Sequence, residues 1–67
     1  MEWYIAKRIL HNAKRMKRLC NSGRHMREQA RRYVVAECAA QKVRLTEEQI
    51  RRAAVIVVER SCVPDEA

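Results

Sequence analysis

The first part of the chain alternates apolar and basic residues with the period of an amphipathic helix. When successive residues are placed about 100° apart, the basic side chains of residues 2–20 occupy an arc of about 120° opposite the apolar ones. The apolar side consists of Ile5, Ile9, Ala13, Met16, Leu19 and Cys20. Asn21 and Gly23 follow, and both residue types adopt the left-handed backbone conformation that ends a helix. The pattern predicts helix 1 over residues 2–20.

A second helical pattern extends from about residue 24 to residue 42. Its apolar face consists of Met26, Ala30, Tyr33, Val34 and Ala40. The segment 33–40 is apolar nearly all round, which is typical of a central helix or of a helix contacted from two sides. Glu37 falls within this segment, and a buried carboxylate needs an opposite charge. We therefore expect helix 2 over residues 24–42 and an ion pair between Glu37 and an Arg or a His of a neighbouring helix.

The start of a third helix is marked by a capping box. Thr46 can accept a hydrogen bond from the first turn of the helix, while Gln49 accepts one from the backbone N–H of Thr46. Leu45 and Ile50 occupy the two positions of a hydrophobic staple. Apolar residues then recur to about residue 61, which predicts helix 3 over residues 47–61.

The run Val55–Val58 within this segment is β-branched, and such residues also favour strands. The sequence contains no second candidate strand to pair with it, so the helical interpretation is preferred. Val55 and Ile56 lie away from the main apolar stripe of helix 3. We expect them to form a second contact surface.

The fold class that follows is all-α: a three-helix unit in a single domain over residues 1–62, with a flexible tail over residues 63–67. A chain of 67 residues with seven Val, four Ile, three Leu and no Phe can bury only a small core. Such domains are commonly stabilised by oligomerisation. We expect a homodimeric helical bundle, whose interface would include Val34, Val55, Ile56 and Val58.

The net charge of +7 is distributed unevenly. Residues 1–32 contain ten Lys or Arg and two Glu, hence +8, whereas residues 33–67 contain five Lys or Arg and six acidic residues, hence −1. No acidic residue occurs between Lys7 and Arg27, although a face that is merely solvated normally mixes both signs. The asymmetry indicates a positive working surface on helix 1.

Such a face suits phosphate groups, because each neutralised phosphate releases counterions from the nucleic acid. Phosphate contacts supply affinity without reading bases, so the sequence predicts a protein that binds an RNA or DNA duplex by shape rather than by sequence. The basic residues expected to contact it are Lys7, Arg8, His11, Lys14, Arg15, Arg18, Arg24, Arg27 and Arg31. Trp3 and Tyr4 flank the basic arc, where their rings could stack on bases. The alternative for Trp3 is that it folds back to cover the end of the bundle.

Two other binding functions fit the same composition. Arg-rich helices with aromatic ends also occur at protein interfaces, so the second hypothesis is a small regulator or inhibitor that docks on an acidic or helical surface of a larger protein. Adsorption of helix 1 to a membrane surface ranks last, because its apolar face has few large residues. A helix-turn-helix is disfavoured, since the linker before helix 3 is long and Glu47 and Glu48 at its start would repel phosphates.

The sequence offers little for catalysis or for metal binding. No Ser or Cys nucleophile has an evident His and acidic partner, and a single Gly cannot build a phosphate-binding loop. Cys20, Cys38 and Cys62 form no CxxC motif and are expected to be free, partly buried thiols. We therefore expect no enzyme activity, no metal site and no cofactor.

Localisation is predicted from the lack of targeting signals. Lys7 and Arg8 interrupt any apolar signal segment, and the longest uninterrupted apolar run, Ala53–Val58, is too short to cross a bilayer. The sequence thus favours an intracellular, cytoplasmic protein. The basic cluster Lys14–Arg18 also resembles a nuclear-localisation patch, so a nuclear location is the alternative in a eukaryotic or viral setting.

Overall fold

A computed structural model describes residues 1–61, and within them the fold is all-α, with four α-helices, a short 3₁₀ turn at Gly23–His25 and no strand. The α-helices are Glu2–Leu10 (α1), Ala13–Cys20 (α2), Met26–Gln41 (α3) and Glu47–Ser61 (α4). The predicted all-α class is therefore confirmed. Cys62 and the predicted tail over residues 63–67 lie outside the described residues. None of the helices in residues 1–61 is both long enough and apolar enough to cross a bilayer.

The single helix predicted over residues 2–20 is wrong, because the chain breaks at His11 and Asn12 into α1 and α2. Asn12 has an extended backbone (φ −96°, ψ 101°), and its side-chain oxygen accepts a hydrogen bond of 3.1 Å from the backbone N–H of Arg15. Asn is among the best residues for capping a helix N-terminus in this way. The break changes the rotational register of α2, so that Ala13 and Cys20, expected on the buried side, are exposed.

The predicted helix end at residues 21–23 is confirmed. Helix α2 stops at Cys20, and Gly23 has φ +61°, in the left-handed region that costs glycine nothing. The hydroxyl of Ser22 donates a 2.9 Å hydrogen bond to the carbonyl of Arg18, which satisfies one of the last carbonyls of α2. The 3₁₀ turn delays the start of α3 to Met26, two residues after the predicted start.

Two backbone motifs define the connection between α3 and α4. Lys42 ends α3 with φ 57°, its N–H donating to the carbonyl of Ala39 at 3.2 Å, and the N–H of Val43 donates to the carbonyl of Cys38 at 2.9 Å. This pair of hydrogen bonds is a Schellman motif, here formed without the usual glycine. The motif ends α3 at Gln41, one residue before the predicted end at residue 42.

The capping box predicted for the start of the last helix is confirmed. The backbone N–H of Gln49 donates to Thr46 Oγ1 at 3.2 Å, and the backbone N–H of Thr46 donates to Gln49 Oε1 at 2.8 Å. Leu45 and Ile50 are both partly buried against the core. Helix α4 accordingly covers Glu47–Ser61, with the predicted bounds.

The core lies between α1, α3 and α4. Its fully buried large side chains are Ile5, Ile9, Leu19, Val34 and Val57. Only one of them, Leu19, comes from α2. Val34, expected at a dimer interface, is instead buried by neighbours in its own chain because it belongs to the inner face of α3.

Candidate nucleic-acid interface

Two adjoining surface grooves follow the corner between α1 and α2. The first is lined by Tyr4, Lys7, Arg8, His11, Asn12, Ala13 and Lys14. The second is lined by Asn12, Lys14, Arg15, Lys17, Arg18, Asn21 and Tyr33. The two grooves share Asn12 and Lys14, and no acidic residue lines either of them. Together they form one positively charged surface, called the basic groove below.

The break between α1 and α2 explains how this surface is assembled. The N–H of Asn12 donates to the carbonyl of Ile9 at 2.9 Å, and the carbonyl of Asn12 then accepts from the N–H of Met16 at 3.0 Å. One residue thus closes α1 and opens α2. Buried Ile5 and Ile9 fix the inner face of α1, while Leu19 fixes that of α2. The cations on the outer faces of both helices therefore lie together at the corner between α1 and α2.

A buried carboxylate of α3 binds two of the arginines that line the groove. Glu37 is 7% exposed and accepts hydrogen bonds from Arg8 Nε (2.8 Å, to Oε2), Arg15 Nη1 (2.8 Å, to Oε1) and Gln41 Nε2 (3.0 Å, to Oε2). The predicted pairing of Glu37 with an Arg of a neighbouring helix is therefore confirmed, with two partners. The hydrogen bond from Arg8, followed by those from Arg15 and Gln41, lowers the pKa of the Glu37 carboxyl against the opposing effect of burial.

The ion pairs separate the predicted basic residues into two groups. Arg8 and Arg15 share Glu37, and Arg31 pairs with Glu47 across α3 and α4. The hydrogen bond to Glu37 also raises the pKa of Arg8, so this side chain remains a cation held in place. Side chains fixed by an internal carboxylate have less freedom to reorient towards a ligand.

The remaining predicted cations have no internal acidic partner. Within residues 1–61, no carboxylate lies within 4 Å of Lys7, Lys14 or Arg18, and all three line the basic groove. His11 is exposed and lines its first part. Arg24 and Arg27 are exposed but line neither part of the groove.

Lys17 is a groove residue that the sequence analysis missed. It is exposed and lines the second part of the groove beside Arg18. The projection of residues 2–20 as one continuous helix placed Lys17 outside the basic arc. The signal that identifies it is Asn12, because an Asn that caps a helix resets the register of everything after it.

The aromatic residues near the groove differ in their surroundings. Tyr33 lines the second part, with the guanidinium of Arg15 5.5 Å from its ring centre, and its hydroxyl is buried without a hydrogen-bond partner. Tyr4 lines the first part and is 46% exposed. Trp3 is 51% exposed and stacks against Arg60 of α4, whose guanidinium lies 4.7 Å from the ring centre. The ring of Trp3 therefore contacts α4 and does not line the basic groove.

The cysteines and acidic residues form no metal-binding cluster in the described part of the chain, where no three His, Cys, Asp or Glu side chains come together. Cys38 is a buried free thiol in the core, and burial raises its pKa. Cys20 is exposed at the end of α2, with its Sγ donating to the carbonyl of Ser61 at 3.5 Å.

Comparison with protein-family models, with curated proteins and with solved structures finds no match for this chain. The functional interpretation therefore depends on the geometry of the basic groove itself.

Proposed function

We propose that the protein binds the phosphate backbone of a nucleic-acid duplex through the basic groove. The observation that supports this proposal most strongly is the composition of the groove, which combines Lys7, Lys14, Lys17 and Arg18 without an acidic lining residue. Cations gathered in a concave surface raise the local concentration of an anionic partner. A polyanion with regularly spaced charges is the partner that gains most from four unpaired cations at one corner.

The chemistry of the unpaired cations favours contacts with phosphates over contacts with bases. Three of them are Lys, whose ammonium group is a flexible point charge. Base recognition typically uses the two-pronged guanidinium of Arg, but Arg8 and Arg15 are held by Glu37. The proposed function is therefore recognition by shape and charge rather than by sequence. An intracellular location belongs to the proposal, since duplexes and reduced thiols such as Cys38 occur together there.

The experiment is a binding titration with two blunt duplexes of equal length and unrelated sequence, each prepared as RNA and as DNA. We expect both sequences to bind with equal affinity within a factor of about two, while nonspecific binding of this kind has a dissociation constant of about 10⁻⁴–10⁻⁶ M. The double variant Lys14→Gln/Arg18→Gln should bind at least tenfold more weakly. Unchanged affinity in this variant would exclude the basic groove as the contact surface.

A second surface supports the prediction of a homodimer. A shallow apolar groove is lined by Glu2, Arg51, Arg52, Val55 and Ile56, and Val55 is 39% exposed. Arg51, Val55 and Glu59 follow one another at four-residue intervals, so they share one face of α4. In the described chain, neither Arg51 nor Glu59 has an oppositely charged side chain within 4 Å. An antiparallel pair of α4 helices centred on Val55 would bring Arg51 of each copy opposite Glu59 of the other.

Sedimentation equilibrium tests this dimer by exchange of the two charges. Arg51→Glu should weaken self-association because it places like charges opposite each other, and the double variant Arg51→Glu/Glu59→Arg should restore it. A wild-type chain that remains monomeric at submillimolar concentration would contradict the dimer. In that case Val55 stays exposed beside the partly buried Ile56, which favours the second hypothesis, a module that binds a different protein. A partner retained after nuclease treatment and lost in Val55→Asp would support that alternative.

A further inference from the structure

Two neighbouring aromatic residues of α1 are exposed to a similar extent but are engaged differently. Trp3 is 51% exposed and Tyr4 is 46% exposed. The ring of Trp3 already faces the guanidinium of Arg60 at 4.7 Å, a close cation–π contact. The nearest cation to the ring of Tyr4, Arg8, lies at 6.0 Å, the outer limit of such a contact. Tyr4 thus has the less occupied ring.

Glu37 is the strongest partner of Arg8, and the interaction of Arg8 with Tyr4 is the weaker one. Its Nε donates to the Glu37 carboxylate at 2.8 Å, which keeps the guanidinium away from closer stacking on Tyr4. The hydroxyl of Tyr4 interacts with Arg8 and donates to Gln41 Oε1 at 3.5 Å. Neither interaction covers the ring.

The ring of Tyr4 borders the first part of the basic groove, together with Lys7, His11 and Lys14. This part has a volume of about 820 Å³, within the range of about 300–1,000 Å³ found for small-molecule sites. An aromatic ring beside cations that neutralise phosphates is the arrangement by which proteins hold single-stranded nucleotides. Bases inside a duplex are stacked on both faces, whereas an unpaired base beyond its end can turn and offer a face to Tyr4.

We infer that the first part of the groove binds an unpaired nucleotide whose base stacks on Tyr4, an inference that rests on the proposed function. The preferred ligand is then a duplex with a short single-stranded overhang and not a blunt one. Lys7 and Lys14 contact the phosphates that flank the unpaired base. Stacking of one base on an aromatic side chain typically changes affinity by about 5- to 150-fold.

The experiment compares three forms of one duplex by fluorescence anisotropy at a single salt concentration: blunt, with a two-nucleotide overhang, and with an abasic overhang of equal length. The abasic overhang retains the added phosphates but has no base to stack. We expect the wild-type chain to bind the natural overhang at least fivefold more tightly than either of the other two forms. Equal affinity for the natural and the abasic overhang would overturn the inference.

Variants of the two aromatic residues provide the matched control. Tyr4→Ala should reduce the ratio of affinities for the natural and the abasic overhang to about one, and Tyr4→Phe should retain the wild-type ratio because the ring remains. Trp3→Ala should also retain the preference, since that ring is engaged by Arg60. A Tyr4→Ala variant that loses affinity for the blunt and the overhang duplex alike would show that Tyr4 acts through the fold, and the inference would be wrong.

The same titrations separate this inference from the proposed function. Binding of the blunt duplex tests the basic groove alone, whereas the ratio between natural and abasic overhangs tests the stacking of a base. Binding of the blunt duplex without a preference for the natural overhang would overturn only the inference. If none of the three duplex forms binds, both are contradicted.

Discussion

The contact between helices α3 and α4 differs in kind from the contact that holds α2 on the rest of the fold. Helices α3 and α4 meet through fully buried apolar residues, among them Ala30, Val34, Ala53 and Val57, and their connection begins with a Schellman motif and ends with a capping box. Helix α2 contributes a single fully buried residue, Leu19, and Arg15 of this helix binds the carboxylate of Glu37. The helix that exposes most of the groove cations has the smallest apolar anchor.

This difference follows from the composition of α2. Four of its eight residues are Lys or Arg, whose charged groups remain in water, so only a narrow apolar face is left to pack on the rest of the fold. The ion pair with Glu37 supplements the short apolar contact of α2 with the rest of the fold. Substitutions of the fully buried residues between α3 and α4 should therefore change stability alone, whereas substitutions around α2 should change stability or ligand binding according to the face they affect.

The largest expected effect comes from Leu19→Ala. Removing a fully buried leucine typically costs about 2–5 kcal/mol of unfolding free energy, a large part of the stability of a small domain. Because Leu19 is the only fully buried residue of α2, hydrogen exchange should accelerate first in Ala13–Cys20. If the amides of α2 stayed as protected as those of α4 in this variant, the contrast between α2 and the α3–α4 pair would be contradicted.

Glu37→Gln should have the next largest effect, a loss of about 1–3 kcal/mol measured by urea denaturation. The variant keeps the shape of the side chain but leaves two guanidinium groups without their carboxylate. The estimate is below the usual cost of breaking a buried pair because the side chains of Arg8 and Arg15 are 49% and 27% exposed and can recover hydration. Gln41→Glu is also isosteric, but it cannot replace Glu37→Gln as a test of the ion pairs, because it adds a negative charge next to Glu37.

The same carboxyl predicts a pH dependence. The pKa of Glu37 is lowered in the folded chain, chiefly by the hydrogen bond from Arg8, so the ionised form stabilises the fold. This contribution is complete above the ordinary pKa of a glutamate and is lost as the pH falls through the lowered folded-state value. The difference in unfolding free energy between wild type and Glu37→Gln should therefore shrink on acidification below about pH 4.5. A difference that is constant from neutral to acidic pH would exclude the ion pairs as its origin.

Thr46→Ala tests the capping box at the start of α4. Loss of an N-cap side chain costs about 1 kcal/mol, and the backbone N–H of Gln49 loses its acceptor. Thr46→Ser retains the hydroxyl and serves as the control in thermal denaturation. Neither variant should alter duplex affinity, since Thr46 lines neither part of the basic groove.

Lys42→Gly should produce the smallest change, and in the opposite direction. Lys42 has φ 57°, a conformation that glycine adopts without steric cost, so the variant should stabilise the chain by about 0.5–1 kcal/mol. Lys42→Ala removes the same charge without relieving the backbone, and it should not be stabilising. A gain of stability in both variants would assign the effect to charge instead of conformation.

Local sequence signals predicted the parts of the fold that depend on neighbouring residues. The pair Thr46 and Gln49 defined the start of α4, and Gly23 marked the end of the first basic segment. The position of Glu37 in an apolar stripe was enough to predict an Arg or His partner. Its actual partners, Arg8 and Arg15, are 29 and 22 residues away in the chain, and no periodic pattern specifies such distant contacts.

The break at Asn12 was not predicted, because asparagine also occurs within helices and the apolar period continues past it. This one residue accounts for the errors around α2: the exposure of Ala13 and Cys20 and the omission of Lys17 from the candidate site. Val34 was assigned to an interface since a helix that is apolar nearly all round gives no indication of which side faces its own core. Tertiary packing decides that orientation.

The most direct test of the basic groove is the salt dependence of binding to a blunt DNA duplex. The triple variant Lys7→Gln/Lys14→Gln/Arg18→Gln removes three groove cations, and Arg32→Gln/Lys42→Gln/Arg44→Gln removes the same charge from residues that line neither part of the groove. Each lost phosphate contact reduces the slope of log affinity against log salt by roughly one. We predict that the groove variant loses about three units of slope while the control variant keeps the wild-type slope. Equal reductions in both variants would show that net charge alone, and not the basic groove, is responsible for binding.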